Sequence, residues 1–169
     1  MKSCKSLLLC GVVSTLFSCS GSSTVDNSTV KSLDLTRFLG SWYELARYDH
    51  RFERGLTHCM ALYELNPDGT IKVRNRGKKD GEARESVGKA KTTQTPGLLR
   101  VSFWGPFYSD YRVLMLAPDY SYALVGSGSD KYLWILSRTP SLPEDTLSQI
   151  LDEASRRGYN TSKLIWVTQ

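Results

Sequence analysis

From residue 41 to residue 138 the chain alternates apolar and polar side chains with period two, in eight short runs. They are SWYELARY (41–48), THCMALYEL (57–65), TIKVRNRG (70–77), ESVGKAKTT (85–93), LLRVSFW (98–104), DYRVLML (110–116), YSYALVG (120–126) and KYLWILSR (131–138). Turn chemistry separates them; Asn66-Pro67-Asp68-Gly69 between the second and third runs is a hairpin signal. Short strands at this spacing cannot bury their apolar faces one by one. They are expected to close into an antiparallel up-and-down β-barrel or to pack as a sandwich. After Arg138 the period changes. Thr139-Pro140 ends the last run, and PEDTLSQILDEASRRG (143–158) opens with Pro143 and acids and closes with Arg156, Arg157 and Gly158. Leu147, Ile150, Leu151 and Ala154 share one face of the predicted helix. SKLIWVTQ (162–169) then reads as a short ninth strand.

The first thirty residues follow another logic. Lys2 and Lys5 precede LLLCGVVSTLF (7–17), an apolar run of eleven residues. A bilayer-spanning helix needs about 20, so this length suits the hydrophobic region of a signal peptide. Leu16-Phe17-Ser18-Cys19 stands where cleavage is expected and resembles the bacterial lipobox, with Phe17 bulkier than the usual residue there. The resemblance implies removal of residues 1–18 and acylation of Cys19 as the new N-terminus. Residues 19–32, rich in Ser and Thr, read as a lipidated flexible tether, and 33–169 as the folded domain. Ser20 is not the acidic residue that retains such proteins at the inner membrane, so the expected location is the bacterial outer membrane.

Two classes of function are disfavoured. The formal net charge of +5 includes Lys2 and Lys5, and no dense Lys/Arg run marks a nucleic-acid surface. Only His50 and His58 are present, with no nucleophile-elbow, zincin or paired-cysteine motif, so no catalytic group, metal or cofactor is expected. Three of the four cysteines fall within the first 19 residues, which leaves Cys59 without a disulfide partner in the body of the chain.

Eight strands, a helix and one more strand, headed by Gly40-Ser41-Trp42-Tyr43, resemble the lipocalin family over residues 33 to 169. The family's first motif corresponds to Gly40, Trp42 and Tyr43. Its second corresponds to Asp110-Tyr111, with Ser109 replacing the usual threonine, and its third to Arg138 in ILSRTP. ARYDHRFERG, FWGPFY, YLWILSRTP and KLIWV are similar to the branch of bacterial outer-membrane lipoproteins related to apolipoprotein D. The resemblance implies an all-β fold, an eight-stranded antiparallel up-and-down barrel with a C-terminal α-helix and a short ninth strand.

It also implies site roles. A barrel of eight strands leaves an interior just wide enough for a ligand, so one end needs a plug. Trp42 would be its apolar plate, with Arg138 stacked on the ring and Gly40 admitting the chain from beneath. Parity from Arg138 together with the resemblance directs Trp134, Leu136, Val101, Phe103, Val113, Met115, Val73, Asn75, Cys59 and Ala61 inward, as cavity lining or as packing of a filled core. Glu44 shares the parity of Trp42 and, if buried, needs a hydrogen-bonding partner. In the loop RYDHRFERG (47–55), Arg47, His50, Arg51 and Arg54 surround Phe52, either as a basic mouth for an anionic headgroup or as a solvated loop.

The function implied is reversible binding, for storage or transport, of a fatty acid or lysophospholipid in the cell envelope. The partners would be that lipid and the membrane, with the chain as monomer or homodimer. Two alternatives stand beside it. One is an enzyme on the same fold using Cys59, whose neighbour His58 points to the opposite face of a strand. The other is a structural lipoprotein with a filled barrel.

Overall fold

The computed structural model describes residues 25–169. The predicted signal peptide, Cys19 and the first part of the predicted tether lie outside the described residues. A four-residue helix α1 (Leu35–Phe38) leads into β1 (Gly40–Tyr48), β2 (Thr57–Leu65), β3 (Ile71–Lys79), β4 (Glu82–Thr92) and β5 (Leu98–Trp104). β6 (Phe107–Leu116), β7 (Tyr122–Gly126), β8 (Leu133–Ser137), helix α2 (Glu144–Arg156) and β9 (Leu164–Trp166) follow. Each strand from β1 to β8 pairs antiparallel with the next, and β8 returns to β1, closing an eight-stranded barrel. β9 bonds outside it, along the upper part of β1, with Ala46 opposite Trp166 and Tyr48 opposite Leu164.

Turn chemistry sets the register. At Asn66–Gly69 the Gly69 amide donates to the Asn66 carbonyl at 3.0 Å, and Asp68 accepts from the Thr70 amide at 3.0 Å. Gly69 takes φ +78°, the left-handed region that glycine occupies without strain.

Alternation separates two apolar layers. Phe38, Trp42, Ala61, Tyr63, Ile71, Val73, Ala90, Leu99, Val113, Ala123, Val125 and Leu136 pack inside the barrel. Leu45, Ala46, Leu114, Leu124, Leu133 and Ile135 face outward and are covered by Ile150 and Ala154 of α2. The α2 stripe follows from its spacing, and burying Ile150 completely is worth about 1.5–3 kcal/mol.

Two irregularities re-aim side chains. In β1 the register slips between Glu44 and Ala46, so Leu45 and Ala46 both turn outward and Arg47 turns into the barrel. In β6 it slips between Val113 and Met115, so Leu114 and Met115 both pack on the outer layer. The inward assignment of Met115 is therefore corrected: strict parity assumes an unbroken ladder, and a bulge reverses it from that point on.

The predicted tether also differs from expectation over its second part. Residues 25–32 form a strap laid on the outer wall. The Asp26 amide donates to the Arg157 carbonyl at 2.8 Å and the Val30 amide to the Val113 carbonyl at 2.9 Å. The buried Arg157 guanidinium holds the Ser28 carbonyl at 2.7 Å, the Leu114 carbonyl at 2.8 Å and Glu153 at 2.7 Å. The strap is secured through its backbone, which a Ser/Thr-rich composition does not reveal.

Candidate functional site

The barrel interior has two halves. Below, α1 pushes Phe38 into the barrel, where its ring meets Trp42 with centroids 5.1 Å apart and its carbonyl accepts from Trp42 Nε1 at 2.8 Å. The Arg138 guanidinium lies 3.7 Å from the Trp42 ring centroid. Its nitrogens donate to the carbonyls of Ser41 and Arg37 at 2.7 Å, Leu39 at 2.9 Å, Phe38 at 3.2 Å and Tyr120 at 3.3 Å. Gly40, at φ +91°, makes the turn from α1 into β1, and a Cβ there would stand 3.5 Å from the Arg138 guanidinium. Ala61, Val73, Val113 and Leu136 are buried against this assembly and form a filled floor, so of the two sequence readings packing holds for these four.

Above the floor the inward side chains are only partly covered. Val101 and Trp134 rest on the lower cluster while remaining half-buried, and Asn75 faces in opposite Ala61 and Ser86. Phe103, 36% exposed, lays its ring over Gly88, where a Cβ would come within 2.7 Å of it. A side chain at 88 would displace the ring. Phe52 stands on the rim, 59% exposed, with the Arg51 guanidinium 4.6 Å from its ring centroid. Arg54 is paired with Asp49 at 2.8 Å, which offsets its charge.

A polar cluster projects into this upper half. Arg47, assigned to the basic rim by its place in the sequence, is fully buried. Its guanidinium contacts Glu44 at 2.7 Å, the carbonyls of Glu53 and Leu56 at 2.6 and 3.1 Å, and Cys59 Sγ at 3.7 Å. Arg47 is thus the partner that a buried Glu44 requires. Burial and then the nearby Glu53 push the Glu44 carboxyl up to about 8, against the pull of Arg47. Burial alone would raise Glu53, yet the His50 ring, Trp134 and Arg47 hold it below the usual carboxylate range. His50 Nε2 lies 2.8 Å from the Glu53 carboxylate, and Trp134 Nε1 donates to it at 3.1 Å. Arg47 Nε and Asn75 Oδ1 are buried without a hydrogen-bond partner, one donor and one acceptor left for a bound molecule.

Cys59 is buried and its thiol is pushed up to about 12, first by burial and then by Glu44. It is a protonated thiol at neutral pH and lacks the thiolate a nucleophile needs. His58 is exposed, with φ +51° at the irregular start of β2, and Cys59 turns inward. Sequence reasoning missed Phe38, Glu53 and the inward Arg47. The only available signals were the apolar pair Phe38-Leu39 ahead of Gly40 and the crowding of opposite charges between residues 44 and 54.

Comparison with known proteins places this geometry. Residues 33–169 match the model of the Lipocalin-like domain. The chain is 46% identical over 146 residues to outer membrane lipoprotein Blc of Escherichia coli K12, covering 84% of this chain and 82% of that protein. It is 40% identical over 146 residues to temperature-induced lipocalin-1 of Arabidopsis thaliana (80% and 78% covered). It is 32% identical over 151 residues to mouse apolipoprotein D (82% and 78% covered). Among solved structures, the cockroach allergen Per a 4 superposes with a TM-score of 0.69 at 20% identity, over 84% of this chain and 92% of that one. Insecticyanin of Manduca sexta gives 0.68 at 23%, over 84% of each. At such identities these two structures speak for the fold alone. The family model spans the whole barrel and the bacterial relatives are nearly half identical along it, so this chain belongs to the lipocalin family.

Proposed function

We propose that the upper half of the barrel reversibly binds a fatty acid or a lysophospholipid and stores or carries it at the envelope, without chemistry. The observation that carries this reading is the contrast between a filled floor and a partly uncovered, apolar-walled upper half containing Val101, Phe103 and Trp134. An acyl chain laid on that floor gains about 0.8 kcal/mol per buried methylene. Ordering costs reduce the sum to a micromolar affinity, about −8 kcal/mol. Arg47 Nε and Asn75 Oδ1 are suited to the polar end of the lipid or its glycerol hydroxyl, with Arg51 and Arg54 at the rim.

Displacement of a fluorescent fatty acid by palmitate and by a lysophospholipid tests the reading. Both are expected to compete at micromolar concentration. Trp134→Glu, which sets a charge on the cavity wall, is expected to weaken both at least tenfold. Arg51→Ala with Arg54→Ala is expected to weaken the anionic lipid more than the neutral one. If neither lipid binds below about 100 µM, there is no carrier.

The anchor belongs to the same proposal. Cys19 carries it, because the Leu16–Cys19 segment follows an apolar run of signal-peptide length. Several acyl chains hold a protein on a membrane stably where one does not. Cys19→Ala is expected to leave the chain unprocessed and without lipid mass. An intact mass that still includes the lipid in this variant excludes Cys19 as the attachment point.

A further inference from the structure

The β5–β6 hairpin ends at the open mouth in Trp104-Gly105-Pro106-Phe107, with Trp104 paired to Phe107. Trp104 is 76% exposed and Phe107 79%, and Phe52 projects from the β1–β2 loop at the same end of the barrel. Together with Phe103 they make a rim of large aromatic side chains with no charged residue from 103 to 107. Isolated exposed apolar residues need no explanation, but a cluster of aromatics crowning a cavity does. Tryptophan and phenylalanine at a loop tip are the side chains that gain most where water meets acyl chains.

The strap identifies what covers this rim. Asp26 is held by Arg157, just beyond α2, and Asn160 close by accepts from the hydroxyl of Tyr48, the last residue of β1 at the mouth. The strap therefore starts in the mouth-ward half of the barrel and runs down to α1 at the plugged end. Cys19 lies seven residues before Asp26, a reach of about 25 Å at most. That reach lets a lipid on Cys19 hold the bilayer within contact of the mouth, from an attachment in the mouth-ward half of the wall.

We infer that the aromatic rim of Trp104, Phe107 and Phe52 docks into the lipid surface that holds the anchor, so that lipid passes between bilayer and barrel without crossing water. The inference rests on the carrier reading and on Cys19 as the anchor. The rim's charges alternate in sign, Arg51 near Asp49, Lys79 beside Asp80 and Lys131 beside Asp130. Docking is thus driven by apolar insertion and holds at high salt.

The test uses the mature lipidated protein in phosphatidylethanolamine/phosphatidylcholine vesicles whose acyl chains carry bromine at a fixed depth, with tryptophan emission as the readout. Trp42 is buried, Trp134 lies inside the barrel, and the exposed Trp166 on β9 is replaced by Phe in every protein of the series, so Trp104 is expected to dominate the quenching. Trp104→Phe should remove at least half of the quenched emission, equally at 0.05 and 0.5 M salt. Unchanged quenching in Trp104→Phe overturns docking. So does a parent protein that pairs with a second copy through the rim, shown by Trp104→Asp/Phe107→Asp converting a dimer to a monomer while bromine never quenches Trp104. The same double variant should keep the parent affinity for monomeric lysophospholipid in solution and slow lipid uptake from vesicles about tenfold. Uptake at the parent rate counts against docking. Lysophospholipid binding absent from the parent itself refutes the carrier and leaves the quenching result to be judged alone.

Discussion

Trp42→Ala is expected to destabilise the barrel by about 3–5 kcal/mol, and Arg138→Ala by about 2–4 kcal/mol, with the double variant losing less than the sum. The indole is completely buried, donates to the Phe38 carbonyl and fills the space between Phe38 and Arg138. Its removal leaves a cavity in the floor that α1 and the surrounding strands cannot collapse into. Arg138 contributes differently: one guanidinium serves five carbonyls of the turn into β1 and the neighbouring loop, and without it the Phe38 carbonyl keeps its bond from Trp42 while the other four lose a donor. The two residues share the face-on contact of 3.7 Å, so each deletion already loses part of what the other would. Urea denaturation of the four proteins in a double-mutant cycle measures the shared part, expected between about 0.5 and 2 kcal/mol. A cycle that closes to zero would mean that the stacking contributes nothing. Arg138→Lys is expected to rescue little, because an ammonium cannot fan out over several carbonyls while lying flat on a ring.

The second large effect is on pH. The Glu44 carboxyl is pushed up to about 8 in the fold, against an ordinary 4.5. Between those values the folded chain binds a proton that the unfolded chain has released, so the contribution of Glu44 to stability is fully present below about 4.5 and is lost as pH rises through about 8. The slope runs from about 4.5 to about 8 and its sign is opposite to that of a paired carboxylate with a lowered value. Glu53, held below its ordinary value, acts only at acid pH and does not oppose it in this window. Glu44→Gln keeps an acceptor for Arg47 and removes the titration. It is expected to unfold with nearly the same free energy at pH 6 and pH 9, while the parent loses about 2 kcal/mol over that range. A parent with no loss, or a Glu44→Gln protein with the same loss, would place the proton elsewhere.

The strand order could be read because each run is short, alternates cleanly and stops at a turn such as Asn66–Gly69. That period left barrel and sandwich both open, and the resemblance to the lipocalins pointed to the closed barrel; the helix with Ile150 and Ala154 on one side follows from its own spacing. Bulges were not legible. At Leu45–Ala46 and Leu114–Met115 the sequence shows two apolar residues in a row, which a parity rule assigns one to each face, whereas both members of each pair pack on the outer layer, Met115 only partly buried there. Everything beyond the bulge shifts with it, which is why Met115 leaves the interior and Arg47 enters it. An arginine flanking a loop also reads as solvated, because nothing in its neighbours announces that Glu44, Cys59 and two carbonyls will surround it. The cavity walls were half legible, since apolar character selects inward positions but does not say how far Phe38 reaches up from below.

The strap also has a mechanical meaning. If Cys19 bears the lipid as proposed, a pull on it would enter the fold at Asp26 and be spread over the backbone bonds to Arg157 and Val113 and the Arg157 grip on Ser28. These contacts lie spaced along the direction of the strap, so they are loaded side by side in shear. Tension would have to strip them before it reached α1 and drew on Phe38. A molecule so anchored would be moored by its flank, and tugging on the mooring would not pull the stopper.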